Sequence, residues 1–68
     1  MNVYLVGYVG DGGEANAMLI FGALHRAREY VARMGATERD PRYTQGTEIW
    51  QPPGSESEFY TITRRLVQ

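Results

Sequence analysis

The chain has no cysteine, no lysine and only one histidine among its 68 residues. Without cysteine it forms neither a disulfide nor a thiolate metal site, and His25 alone cannot supply the ligands of a zinc site. We therefore expect no metal and no cofactor. The lack of cysteine also fits a reducing, cytoplasmic environment.

Long apolar runs are missing too. The longest covers residues 17–24, is interrupted by Gly22, and is too short to cross a bilayer. The chain opens on a strand-like sequence rather than on a basic segment followed by an apolar one, so we expect no signal peptide. These absences predict a cytoplasmic protein without a membrane partner.

The small size limits the core. We expect one domain over residues 1–68, and a chain of this length buries only about 60% of the surface that its unfolded form exposes. Because disulfides and metals are excluded, association with a second copy or docking on a larger partner remains as a source of further burial.

All seven basic residues are arginine, and the net charge is −1. A GC-rich genome explains this composition, and so does selection for bidentate contacts to carboxylate or phosphate. The net charge provides no overall field that would hold nucleic acid, so we expect a nucleic-acid partner less than a protein partner.

Hydrophobic patterning predicts four strands and one helix in the order ββαββ. The strands are expected at residues 3–9, 16–21, 47–51 and 58–67, and the helix at 24–34, ending at Gly35. Residues 36–46 are polar and predict a loop. The fold class is therefore α+β, with an amphipathic helix packed on a four-stranded antiparallel sheet.

The predicted helix has one apolar face within an arc of about 120°. Arg26, Arg28 and Arg33 lie on the remaining surface, with Glu29 among them. This row is either an ordinary solvated face or a basic stripe that meets phosphate or an acidic protein surface.

The catalytic motifs all fail on a missing residue. The glycine-rich segment 7–13 lacks the lysine and the hydroxyl residue of a phosphate-binding loop, so it predicts a hairpin turn around Asp11-Gly12. His25 falls on the solvent face of the helix, with no nucleophile in a suitable place. We therefore expect no catalytic residues and no enzymatic activity.

The eight carboxylates are dispersed, and we expect them at the solvated surface. Two of them, Glu38 and Asp40, lie in the predicted loop and are candidates to mimic phosphate toward a partner that binds nucleic acid. The full set comprises Asp11, Glu14, Glu29, Glu38, Asp40, Glu48, Glu56 and Glu58.

Aromatic residues are more numerous than one helix-sheet interface needs. Tyr4 and Tyr8 share one face of the first strand, and with Trp50 or Tyr60 they would form an aromatic platform on the sheet face away from the helix. Such a platform stacks bases or contacts a protein. The alternative is that the aromatic residues fill a thin core.

The run from the second strand into the helix, LIFGALHRAREY at residues 19–30, resembles a pattern in small proteins of phages and mobile elements. The element order is similar to that of some anti-CRISPR proteins. Gly22-Ala23 departs from their pattern, where a serine-type cap begins the helix. The resemblance implies a stoichiometric blocker that binds an effector subunit or its nucleic-acid channel.

Taken together, the sequence favours a non-enzymatic protein-binding module, an inhibitor of a host defence (CRISPR-Cas) complex. A nucleic-acid-binding module and a small dimeric α+β enzyme with its site between subunits are the alternatives. The expected partner-binding residues are Arg26, Arg28, Arg33, Tyr8, Trp50, Glu38 and Asp40.

Overall fold

A computed structural model describes residues 1–10, 12–13, 15–38, 47–54 and 57–67. Its elements form one antiparallel sheet in the order β2-β1-β5-β4-β3, with a single helix. The α+β class is confirmed, but the predicted four strands are wrong, because the sheet has five. In chain order the elements are β1 Asn2–Val9, β2 Ala15–Phe21, α1 Leu24–Arg33, β3 Thr37–Glu38, β4 Thr47–Gln51 and β5 Phe59–Leu66.

The additional strand, β3, lies in the segment predicted as a loop. Thr37 pairs with Gln51 and Glu38 pairs with Trp50, so β3 extends the sheet beyond β4. A strand of two polar residues has no alternation that would reveal it in the sequence. Residues 39–46 of the predicted loop, Asp40 included, lie outside the described residues.

The helix begins without a side-chain cap and ends at a glycine. Ala23 is the N-cap, and no side chain bonds to the first turn. At the other end Gly35 adopts φ 83° and donates its N–H to the Ala32 carbonyl at 2.9 Å. This left-handed conformation suits glycine, and it confirms Gly35 as the residue that ends the helix.

The core lies between α1 and one face of the sheet. Val6 on β1 and Ile62 on β5 are paired in register and are fully buried against Ala27 and Val31 of the helix. Ala36 completes this cluster. The helix packs mainly on β1, β2 and β5, which are the three strands at one side of the sheet.

Most of the aromatic side chains belong to this same face. Tyr4, Trp50 and Tyr60 pack against the buried cluster. The predicted aromatic platform on the opposite face is therefore wrong, because these side chains enlarge the small apolar core beneath the helix. One helix is too narrow to cover a face of five strands, so large aromatic side chains are needed to exclude water from the rest of that face.

We call the sheet face opposite α1 the open face. By strand alternation it carries the odd-numbered residues of β1, β4 and β5, and no described element covers it. Ile20 on β2 pairs with Leu5 there and is 66% exposed. Within the described ranges, no helix has the length and apolar character needed to cross a membrane.

Candidate functional site

A bidentate ion pair joins α1 to β4. The Nη2 of Arg28 donates to Oε2 of Glu48 at 2.7 Å, and its Nε lies 3.1 Å from both carboxylate oxygens. The Glu48 side chain is 5% exposed and that of Arg28 is 40% exposed. The expectation that Glu48 lies at the solvated surface is therefore wrong, because β4 places it on the helix-covered face.

Trp50 completes this cluster. It follows Glu48 by two residues on β4, so both side chains lie on one face, and its indole N–H donates to Oε1 of Glu48 at 3.0 Å. Burial raises the pKa of Glu48, but hydrogen bonds from Arg28 and Trp50 and the charge of Arg28 together lower it below its ordinary value. The carboxylate therefore stays ionised.

Four of the predicted contact residues are consequently held within the domain or beside this cluster. Arg28 and Trp50 bind Glu48, and the ring of Tyr8 lies against that of Tyr60, with centroids 5.3 Å apart. Glu38 is exposed on β3 opposite Trp50. Asp40 lies outside the described residues, so its expected role stays a prediction.

The other two predicted residues, Arg26 and Arg33, lie together at one groove. This groove, which we call the α1 groove, has a volume of about 240 Å³ and runs between the helix and the end of β2. Phe21 and Tyr30 contribute its aromatic part, with their rings tilted and 5.8 Å apart. Glu29 completes the lining.

The charges along this groove have no partner within the described part of the chain. Arg26, Glu29 and Arg33 are all exposed, and none of them contacts an opposite charge there. Arg26 and Arg33 are seven residues apart, which is about 10 Å along a helix. Glu29 lies between them, so the groove presents the order positive, negative, positive.

Sequence reasoning missed the aromatic part of this groove. Phe21 ends β2 and Tyr30 lies four residues after Arg26, one turn along the helix. The sequence does indicate the position of Tyr30, because helical spacing puts it beside Arg26 and Arg33. The position of Phe21 depends on the tight connection through Gly22, which a helical wheel does not include.

A second groove crosses the open face at Gly7. It has a volume of about 320 Å³, and its lining includes Leu5, Val9, Thr61, Thr63 and Arg65. A Cβ atom on Gly7 would lie only 2.9 Å from Oγ1 of Thr61, so glycine is what leaves room at this point. A glycine inside a strand often marks the close approach of another chain or a ligand.

Neither groove contains a set of catalytic groups. His25 is exposed on α1 and lines neither groove, and within the described part of the chain no three histidine or carboxylate side chains cluster to hold a metal. The α1 groove is lined by charged and aromatic side chains, whereas the groove at Gly7 is lined mainly by apolar and hydroxyl side chains. Comparison with protein-family models, with curated proteins and with solved structures finds no match to this chain.

Proposed function

We propose that the chain is a protein-binding module whose contact surface is the α1 groove, with Arg26 and Arg33 as its charged contacts. The observation that carries this proposal is that both arginines line one groove beside two aromatic rings and have no ion-pair partner in the described part of the chain. Arginine and tyrosine are the residues that most often dominate protein interfaces.

The neighbouring Arg28, by contrast, already makes an ion pair within the domain. The Nε and Nη2 groups of its guanidinium both donate to Glu48, whereas Arg26 and Arg33 are exposed to solvent. Arg33 lies in the last turn of α1, where a cation stabilises the helix by only a few tenths of a kcal/mol to about 1 kcal/mol. The two exposed arginines add electrostatic steering toward an acidic partner and bidentate contacts to its carboxylates.

The charge order favours a protein over a nucleic acid. A phosphate backbone presents negative charges only, and Glu29 lies between the two arginines and repels such a row. A protein surface can place carboxylates at the two arginines and a basic or neutral group at Glu29. The total charge of −1 gives no general attraction to nucleic acid either.

The finer hypothesis is that this partner is a subunit of a host defence complex, which the domain blocks by stoichiometric binding. Acidic surfaces on such a subunit would meet Arg26 and Arg33. This identity stays a prediction, as do the nucleic-acid-binding and dimeric-enzyme alternatives.

The test compares charge reversal at the groove with charge reversal elsewhere. The tagged wild-type domain, the double variant Arg26→Glu/Arg33→Glu and the control Arg64→Glu are used to capture proteins from nuclease-treated lysate of the natural host cells. Arg64 is exposed on β5 and lines neither groove. Circular dichroism establishes that all three are folded.

We expect the wild type and Arg64→Glu to recover the same specific protein, and the double variant to recover at least about tenfold less, because each lost charged contact costs on the order of 1 kcal/mol. Equal recovery by all three folded proteins would overturn the proposal. So would the absence of any specific protein, or recovery that occurs in an untreated lysate measured in parallel but not in the nuclease-treated one.

A further inference from the structure

We propose that the open face is a homodimer interface, in which two copies pack sheet against sheet around a twofold axis at the level of Val6 and Ile62. This inference goes beyond the proposed function and is independent of it, because the α1 groove lies on the helix side of the sheet. The occupant is a second copy for four reasons, which concern burial, area, shape and charge.

The first reason is the small size of the core. Among the described residues, five apolar side chains are buried, and two of these are alanines. A domain of this length normally gains stability from a disulfide, a metal or association. The chain has no cysteine and its described residues hold no metal-binding cluster, which leaves association.

The second reason is the available area. Strands lie about 4.8 Å apart and rise about 3.3 Å per residue, so the four longer strands present roughly 450 Å² of projected sheet in each copy. Two copies together bury about 900 Å² before the relief of the side chains is added, which is just below the figure of about 1,000 Å² that specific interfaces usually exceed. A dimer of moderate, concentration-dependent stability is therefore expected.

The third reason is shape. On the open face, Leu5 and Gly7 lie on either side of the level of Val6. A twofold axis at that level, perpendicular to the strands, places Leu5 of each copy over Gly7 of the other. The groove at Gly7 then receives an apolar side chain, which gives the missing side chain at this point of β1 a role in the interface.

The fourth reason is charge. The open face of the central strand β5 presents, in order, Phe59, Thr61, Thr63 and Arg65. The same axis reverses this row, so that Arg65 lies over the Phe59 ring of the other copy and Thr61 lies over Thr63. Arginine over an aromatic ring is favourable. An axis parallel to the strands and running along β5 would instead place the two Arg65 side chains together.

Among the strand residues that the structure describes, Arg65 is the one charged group on this face. The antiparallel arrangement therefore avoids every like-charge contact between described strand residues. Sheets that pack face to face cross at about 30°, so the predicted contacts are closest on β1 and β5 and widen toward the edges. The test consequently uses two residues of β5.

Sedimentation equilibrium of the wild type between about 1 µM and about 1 mM should show a mass that rises from one chain toward two. Thr61→Lys and Thr63→Glu each bury an unpaired charge at the centre of the interface, and each variant should stay monomeric. Arg64→Glu, adjacent in sequence but on the other face of the sheet, should dimerise as the wild type does.

An equimolar mixture of Thr61→Lys and Thr63→Glu should form a heterodimer, because the axis brings the new lysine of one copy opposite the new glutamate of the other. A monomeric wild type over the whole range would overturn the proposal. So would dimerisation of either single variant at wild-type strength, or a mixture of folded variants that stays monomeric. All of these outcomes are measured as the mass of the protein in solution. A negative result for the dimer therefore leaves the outcome of the capture experiment at the α1 groove unaffected.

Discussion

The guanidinium of Arg28 on α1 holds both carboxylate oxygens of Glu48 on β4, across 20 residues of sequence. The helix packs mainly on β1, β2 and β5, so this ion pair links it to a strand outside its main contacts. The buried carboxylate also accepts the indole N–H of Trp50, which leaves none of the cluster's buried polar atoms without a partner.

Glu48→Gln should destabilise the domain. It removes the negative charge that the Arg28 guanidinium binds at this position, and removal of one partner from a charged hydrogen bond costs about 1–3 kcal/mol, toward the lower end here because Arg28 is 40% exposed. Urea denaturation measures the difference. The control Glu29→Gln changes an exposed glutamate that has no ion pair among the described residues, and it should stay within about 0.5 kcal/mol of the wild type. Equal stability of the two variants would show that the ion pair contributes nothing.

The same pair predicts a pH dependence. The ordinary pKa of Glu48 is 4.5 and folding lowers it. Its stabilisation is therefore fully present above pH 4.5 and is lost as the pH falls through the lower pKa of the folded state, where the unfolded chain binds the proton more readily. Melting temperatures followed from pH 7 downward should fall less steeply for Glu48→Gln than for the wild type. Parallel curves would contradict this.

Gly35→Ala should destabilise the end of the helix. At φ 83° a side chain is strained by about 1–2 kcal/mol, and the new Cβ would lie 3.3 Å from the ring of Pro53. Gly22→Ala is the matched control, because nothing lies within 4 Å of a Cβ there. It should be neutral or slightly stabilising. If the two variants melt at the same temperature, the helix does not depend on Gly35.

Gly7→Ala should destabilise the sheet, because its Cβ would lie 2.9 Å from Oγ1 of Thr61. Overpacking of this kind costs about 1–3 kcal/mol. Thr61→Ala removes the atom that clashes, so the double variant Gly7→Ala/Thr61→Ala should be more stable than the sum of the two single changes predicts. Denaturation of all four proteins at one concentration completes the cycle. Strict additivity would show that the two positions do not compete for space.

Much of this fold follows from local patterns in the sequence. The strand at β1, the helix at α1 and its end at Gly35 were predicted correctly, because alternation, helical periodicity and glycine placement act over a few residues. Which face of β1 the helix covers did not follow. Both faces are apolar, with Tyr4 and Val6 on one side and Leu5 on the other. Periodicity therefore shows which residues share a face, but not which of the two faces the helix covers.

The site depended on contacts that no local pattern contains. Glu48 lies in a short strand on the helix-covered face. Its buried carboxylate is stabilised by the ion pair with Arg28, which lies 20 residues earlier on another element. The same contact separates Arg28 from Arg26 and Arg33, which the sequence grouped as one basic row. Charge patterning identified the arginines, and only their packing distinguished the residue that stabilises the fold from the two that remain available.

The most direct test of the account is an NMR titration of the ¹⁵N-labelled domain with the protein recovered in the capture experiment. We predict that the largest amide shifts cluster at Phe21, Arg26, Tyr30 and Arg33, and that the amides around Gly7 and Thr61 on the open face change little. Shifts centred on the open face, with the α1 groove unchanged, would contradict the claim that this groove is the binding surface.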